Sequence, residues 1–377
     1  MTGRFGAAVS EHPNAAYATG EVVGQVLDQV GAEPEFAIAF VTSGRTADLS
    51  DVCEAVGAAL RPGKLLAVTS SGVVGNDREV EAVPAISLWA GRVEGPTCLR
   101  VIAERTGDGA WRFPGAPASS TTGTLILLAD PFSFPVEAFL EDLAVESPDL
   151  VVVGGLAAGS SMPGGNRLVL DGEAHASGAV GVLCPPGSID SVVSQGCAPV
   201  GDPFTVTRVE GERLLDLGGR PAVDRLRELV AGADEAQHEV MQRGLHLGVV
   251  VDEHQLDFRR GDFLIRGVMG IDAHTGSITV GARLSVGQTV QFQVRDARTA
   301  HEDLRARFDE RAAASALLFT CNGRGPRLFD GPHHDASLIH EALGRAPLAG
   351  MACAGEIGPI GPRAHVHGFT ASVALFR

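Results

Sequence analysis

The sequence predicts an α/β to α+β protein of two domains, with mixed β-sheets assembled from a repeated β-α-β-β unit. Three observations predict it. Leu65–Gly72, Val151–Ser161 and Leu348–Gly358 share one grammar, a buried apolar run that ends in glycine and other small residues. Each follows another apolar run and a helix-like stretch (Phe36–Val41, Thr124–Ala129, Ala316–Thr320), and each precedes a further strand (Ala85–Ala90, Gly178–Cys184, Thr370–Phe376). Self-similarity at this scale marks one supersecondary unit used three times. The third observation is length: 377 residues exceed one ordinary core and fit two domains.

The elements follow in order. Apolar residues at helical spacing predict a helix over Pro13–Val30, stopped by Gly31 and Pro34. Strand Phe36–Val41 leads to a helix from Asp48 to Leu60, broken by Arg61-Pro62-Gly63, and then to the first glycine-ended strand. A right-handed crossover lays that strand near its predecessor. Gly107–Thr124 is rich in Gly, Pro, Ser and Thr and reads as a long loop. The second unit restarts at Thr124, passes through a helix over Pro135–Val145 to Gly154-Gly155, and makes a hairpin-like excursion through Pro163–Asn166 and Leu168–Glu173. After an alternating stretch, Phe204–Leu217, a short helix over Pro221–Val230 opens new territory, so the boundary is set near Gly218-Gly219, giving domains 1–218 and 219–377. Leu245–Val251, Phe263–Gly270, Ser277–Leu284 and Thr289–Asp296 read as an antiparallel meander, and a helix over Ala300–Ala314 leads into the third unit.

Composition excludes several function classes. A formal charge of −16 repels phosphate backbones and anionic lipid, so no nucleic-acid or membrane partner is expected. Lys64 is the one lysine; arginine supplies the other cationic side chains. Schiff-base chemistry therefore has almost no amine to use, and Gly57–Leu65 fails as a phosphate loop because its spacing is wrong and Leu65 replaces the hydroxyl residue. Six cysteines without a C-x-x-C pair, and a start lacking the apolar core of a signal peptide, point to reduced thiols in the cytoplasm. Apolar runs are too short to cross a bilayer as helices.

Gly154–Ser160, Val286–Ala297, Cys321-Asn322-Gly323-Arg324-Gly325 and Gly350–Pro359, taken together and in this order, resemble the FIST domain family over nearly the whole chain, FIST N domain first and FIST C domain second. The resemblance implies a sensory module found with bacterial signalling proteins and in eukaryotic F-box proteins, with amino acids among the proposed ligands. Some bacterial relatives are haem-binding nitric oxide sensors. No kinase, cyclase, methyl-accepting or F-box segment accompanies the two domains here, so the expected output passes through a separate signalling partner.

Small residues at strand ends either let a ligand approach the backbone or let strands pack closely. On the first reading the ligand-binding candidates are Ser70, Ser71, Gly154, Gly155, Ser160, Cys321, Asn322, Arg324, Cys353, Glu356, His365 and His367. Arg324 offers a planar fork for a carboxylate, and Glu356 can receive an ammonium group; a structural ion pair is the alternative for both. His175 and His365 hold equivalent repeat positions, each three residues before a glycine (Gly178, Gly368), and are the haem-ligand candidates, although no cofactor is the main expectation. His333-His334, beside Gly331-Pro332, reads as solvated. Cys321 or Cys353 as a thiolate nucleophile is the enzymatic alternative, against the reading of cysteine as a small buried apolar group.

Overall fold

A computed structural model describes residues 4–255 and 257–377. Contacts divide the chain into two compact units. The first takes the described residues up to Val193 together with Leu304–Val366 and Thr370–Arg377; the second comprises Ser194–Asp303 and His367–Phe369.

The first unit bears out the mixed α/β class and the repeat. In each repeat two strands run parallel across a helix: Phe36–Thr42 with Lys64–Ser70 around helix Leu49–Leu60, Gly123–Ala129 with Leu150–Leu156 around helix Val136–Glu146, and Ser315–Cys321 with Leu348–Cys353 around helix His334–Ala342. A third strand returns antiparallel to the first: Ile86–Gly91, Ala179–Cys184 and Thr370–Phe376. These strands are nearly continuous apolar runs because both faces of each sheet are covered.

Between its second and third strands each repeat sends out a hairpin, and each hairpin pairs with another repeat's sheet. Gly72–Gly75 and Arg78–Glu81 extend the third repeat's sheet beside Leu348–Cys353. Leu168–Leu170 and Glu173–His175 extend the first repeat's sheet beside Lys64–Ser70. Glu356–Ile360 and Arg363–His367 extend the second repeat's sheet beside Leu150–Leu156. One further strand closes the other edge in each case, Phe5–Ser10, Thr97–Val101 and Ile189–Gln195, so all three sheets have six strands in equivalent order. The exchange of hairpins is cyclic.

Strand alternation sorts side chains into an inner core and three outer ones. Phe36, Ile38, Phe40, Ile126, Leu128, Leu317 and Phe319 point into one shared cluster. Their sequence neighbours face outward: Ala37, Ala39 and Val41 against helices Ala15–Val30 and Leu49–Leu60, Leu125 and Leu127 against Val136–Glu146, Ala316 and Leu318 against His334–Ala342. Phe40 meets Phe319 edge-on at 6.3 Å, and Trp89 packs on Phe376 at 4.6 Å while its indole N–H donates to Ser315 Oγ at 2.7 Å. Each buried aromatic contributes roughly 1.5–3 kcal/mol by area, and this core therefore fastens the repeats to one another.

Helix Ala15–Val30 starts where Asn14 accepts the Tyr17 N–H, and Leu49–Leu60 stops at left-handed Arg61, the first residue of the expected break. The helix before the third repeat spans Ala297–Phe308, not Ala300–Ala314, because Asp296 accepts the Thr299 N–H and starts it earlier. In the second unit Leu245–Val250, Phe263–Asp272 and Ser277–Val280 form the expected antiparallel meander. Phe204–Glu210, Arg213–Leu217 and Thr289–Arg295 join its two ends, so the sheet closes on itself as a six-stranded antiparallel ring around Val206, Leu214, Leu247, Ile278 and Phe292.

Candidate functional site

The three glycine-ended strands converge within the first unit. Ala158 N–H donates to Thr69 O, Ala354 N–H to Leu156 O, and Leu156 N–H to Gly355 O, while Ser71 Oγ donates to Ala352 O at 3.3 Å. Small residues are required for this approach. A Cβ at Gly155 would stand 2.3 Å from Cys353 Sγ, and one at Gly159 would stand 2.5 Å from Thr69 Cβ. At Gly154, where φ is +153°, a Cβ would meet Leu127 O at 2.0 Å. Ser70, fully enclosed, donates to Val41 O.

At the same strand ends lies a buried ionic cluster. Arg324 follows strand Ser315–Cys321 and has no solvent exposure. Its fork grips Asp335 in the first turn of helix His334–Ala342, Nε to Oδ2 at 2.6 Å and Nη2 to Oδ1 at 2.8 Å. Thr320 Oγ1 donates to the same carboxylate, and His334 Nδ1 lies 2.9 Å from it. Burial opposes charge on Asp335, yet the guanidinium and these hydrogen bonds win and hold its carboxyl far below the usual range. Phe329 stacks on His334 and lies beneath Arg324, so the predicted solvated His333-His334 turn is corrected: His333 Nδ1 accepts the Glu79 N–H, and both rings are half-buried against the cluster.

Glu79 and Glu356 behave oppositely to Asp335. Burial, with Asp335 beside it, pushes the Glu79 carboxyl up to about 8; the Ala336 N–H donates to its Oε1 at 3.0 Å. Burial likewise pushes Glu356 up to about 8, against the Thr370 N–H and hydroxyl that both donate to Oε2 and against the Arg324 charge. Arg324 thus serves Asp335 first and reaches Glu356 only through its field. Glu81 is half-buried, raised by desolvation and lowered by Arg327.

Of the residues singled out from the sequence, the fold brings Ser71, Gly155, Cys321, Arg324, Cys353 and Glu356 into this one region. Gly154 and Gly155 pair in register with Ile357 and Glu356. Asn322 donates its N–H to Cys353 O and accepts from Arg327. Cys353 is enclosed, and burial with Glu356 nearby raises its thiol well above the ordinary value; Cys321 Sγ accepts the Gly323 N–H at 3.4 Å. Ser160 lies apart, its N–H bound by Asn166 and its hydroxyl turned to Met162 O. His365 and His367 share the strand face opposite Ala364 and Val366, which pack on the second sheet's core. His175 sits on the outermost strand of the first repeat's sheet between Glu173 and Arg100, and burial with the Arg100 charge lowers its basicity.

Sequence reasoning missed Glu79, Glu81 and Asp335. Glu79 and Glu81 alternate on one face of a hairpin strand, a faint signal in a stretch that looks like surface. Asp335 lies eleven residues after its partner, across the 3-10 turn Gly325–Arg327 and a loop, so no local spacing announces the pairing. Among the described residues no group of three or more His, Cys, Asp or Glu side chains is arranged to hold a metal ion, and no helix is long and apolar enough to cross a membrane.

Comparison with known proteins places this geometry. The FIST N domain matches residues 35–220 and the FIST C domain matches residues 222–359. The uncharacterized protein Rv0628c of Mycobacterium tuberculosis is 42% identical over 382 residues, covering 99% of both chains. The uncharacterized protein Mb0898c of Mycobacterium bovis is 42% identical over 381 residues, covering 99% of this chain and 98% of its own.

Proposed function

Because this chain belongs to the FIST family, a FIST N domain followed by a FIST C domain, we propose that it is a cytoplasmic sensory protein that binds a small ligand bearing a carboxylate and an ammonium group, as amino acids do. FIST domains are associated with sensory roles in signal transduction. The observation that carries the reading is the Arg324–Asp335 pair. A guanidinium enclosed at the meeting of three glycine-ended strands is held by a carboxylate that belongs to a helix, not to its own strand. A ligand carboxylate taking Asp335's place releases the first turn of that helix. The ligand's ammonium group goes to Glu356, which gives up its proton on binding. Two arrangements of helix His334–Ala342 with different ligand affinity then supply the signal, read by a separate partner protein.

No haem step through His175 enters this reading. Arg100 and Glu173 surround His175 with charge, where a porphyrin face packs on apolar walls.

Thermal-shift screening over amino acids and small carboxylates tests the proposal, since a ligand of the native state at one hundred times its Kd adds about 2.7 kcal/mol. A hit should lose its shift in Arg324→Lys and in Glu356→Gln. A hit whose shift is unchanged in both variants removes the assignment of these two residues.

A further inference from the structure

A small cavity borders the ionic cluster at the hairpin that the first repeat contributes to the third repeat's sheet. Gly72, Val73, Val74, Glu79, Glu81 and Thr320 wall it with Gly325 and Ala352, and its volume is about 10 Å³, the room that one water-sized group fills. Glu79 is 8% exposed, and its Oε2 is buried without a hydrogen-bond partner, while Oε1 accepts the Ala336 N–H. An enclosed carboxyl oxygen with no hydrogen-bond partner is costly, so a partner seated in the cavity is stabilising. Gly325 shapes the wall: its φ is +58°, and a Cβ there would lie 2.2 Å from Glu81 Oε1.

The surrounding charges say what kind of donor fits. Glu79 and Glu81 lie on one face of strand Arg78–Glu81, with Asp335 beside Glu79. Against these three carboxyls stand two guanidiniums, Arg324 near Glu79 and Arg327 near Glu81. His333 meets Glu79 only through the backbone N–H, and His334 turns to Asp335. With all three carboxyls ionised, the balance is one uncompensated negative charge in a space for one small group.

We propose that this cavity binds a primary ammonium group, whether free ammonium or the head of a larger amine, with Glu79 Oε2 as its acceptor and Glu81 at its mouth. An ammonium group brings one positive charge and several N–H donors in the volume of a water. Its N–H donates to Oε2, and the proton that Glu79 carries in the empty site passes to the buffer. The site is independent of Arg324 and Glu356 as ligand contacts, so either assignment can fail alone.

The experiment compares melting of the full chain at pH 7 in ammonium chloride, methylammonium chloride, glycine and tetramethylammonium chloride, the salts at equal ionic strength, and follows proton release in weak buffer. Ammonium and methylammonium should raise Tm above tetramethylammonium and release about one proton per site. A response to methylammonium and glycine without ammonium assigns the site to the head of a larger amine; a response to ammonium assigns it to the free ion. Glu79→Gln should abolish both the shift and the proton release, and Glu81→Gln should weaken binding roughly tenfold, the effect of losing one charged partner. Equal effects of all the cations overturn the proposal, as does an unchanged response in folded Glu79→Gln. Should Glu79→Gln fail to fold, an unchanged response in Glu81→Gln overturns it.

Discussion

Removing the Arg324 side chain strips the enclosed Asp335 of the guanidinium that grips it through two hydrogen bonds. Arg324→Ala should therefore lower stability by about 3–5 kcal/mol in urea unfolding, the usual consequence of stripping one partner from a buried pair. The carboxyls also give stability a pH dependence of mixed sign. Glu356 rises from an ordinary 4.5 to about 8 in the fold, so the native state keeps a proton that the unfolded chain has released. Its contribution is fully present below about 4.5 and is lost as pH climbs toward 8, and Glu79 follows the same course. Asp335 has the opposite sign: its lowered value stabilises above 3.8, and that gain is lost on acidification. Between pH 5 and 8 the wild-type chain should lose stability relative to Glu356→Gln, by a few kcal/mol in order of magnitude. Urea midpoints of the two proteins at pH 5 and pH 8 measure the difference, and parallel pH profiles would count against a protonated Glu356. The sequence showed that Arg324 and Glu356 sit at strand ends. It did not show Asp335, because a bidentate pair is made by a loop and a helix start whose distance apart is set by folding.

At the scale of elements, glycine does two different jobs in this chain. Gly350 lies on a central strand, where a Cβ would stand 1.9 Å from Leu318 O, backbone that cannot step aside. Gly350→Ala should cost several kcal/mol and sharply reduce soluble yield, a size of effect expected for overpacking against a rigid neighbour. Gly24 and Gly57 lie in helices Ala15–Val30 and Leu49–Leu60 with nothing within 4 Å of an added Cβ. Gly24→Ala and Gly57→Ala should each stabilise by about 0.5–1 kcal/mol, the difference in helix propensity, read as a rise in Tm. Strands and helices were legible because continuous apolar runs and helical spacing are local patterns. The hairpins Gly72–Glu81 and Glu356–His367 were less so, since their partners lie in other repeats. Their strands are short, and pairing with a distant sheet, not local pattern, defines them.

For the whole molecule, cyclic exchange of hairpins means that no repeat owns a complete sheet. Residues 123–184 contain the second repeat's three strands and helix, but their sheet is finished by Glu356–His367, and their own hairpin belongs beside Lys64–Ser70. A fragment of residues 123–184 should therefore show no cooperative melt by circular dichroism, whereas the full chain should. A cooperative transition in the fragment would mean that the exchanged hairpins are dispensable. The shared core explains the same dependence: Phe40, Ile126 and Phe319 come from three repeats and bury one another. By itself the sequence determined the repeat, the α/β class and the family, because buried strands, helix stops and glycine-ended turns are written in neighbouring residues. Only the tertiary structure decided which carboxylate holds Arg324, which hairpin completes which sheet, and that Glu79 faces a water-sized cavity. Those pairings join residues far apart in the chain, and their energies arise from burial and charge that exist only once the three sheets have closed around their common core.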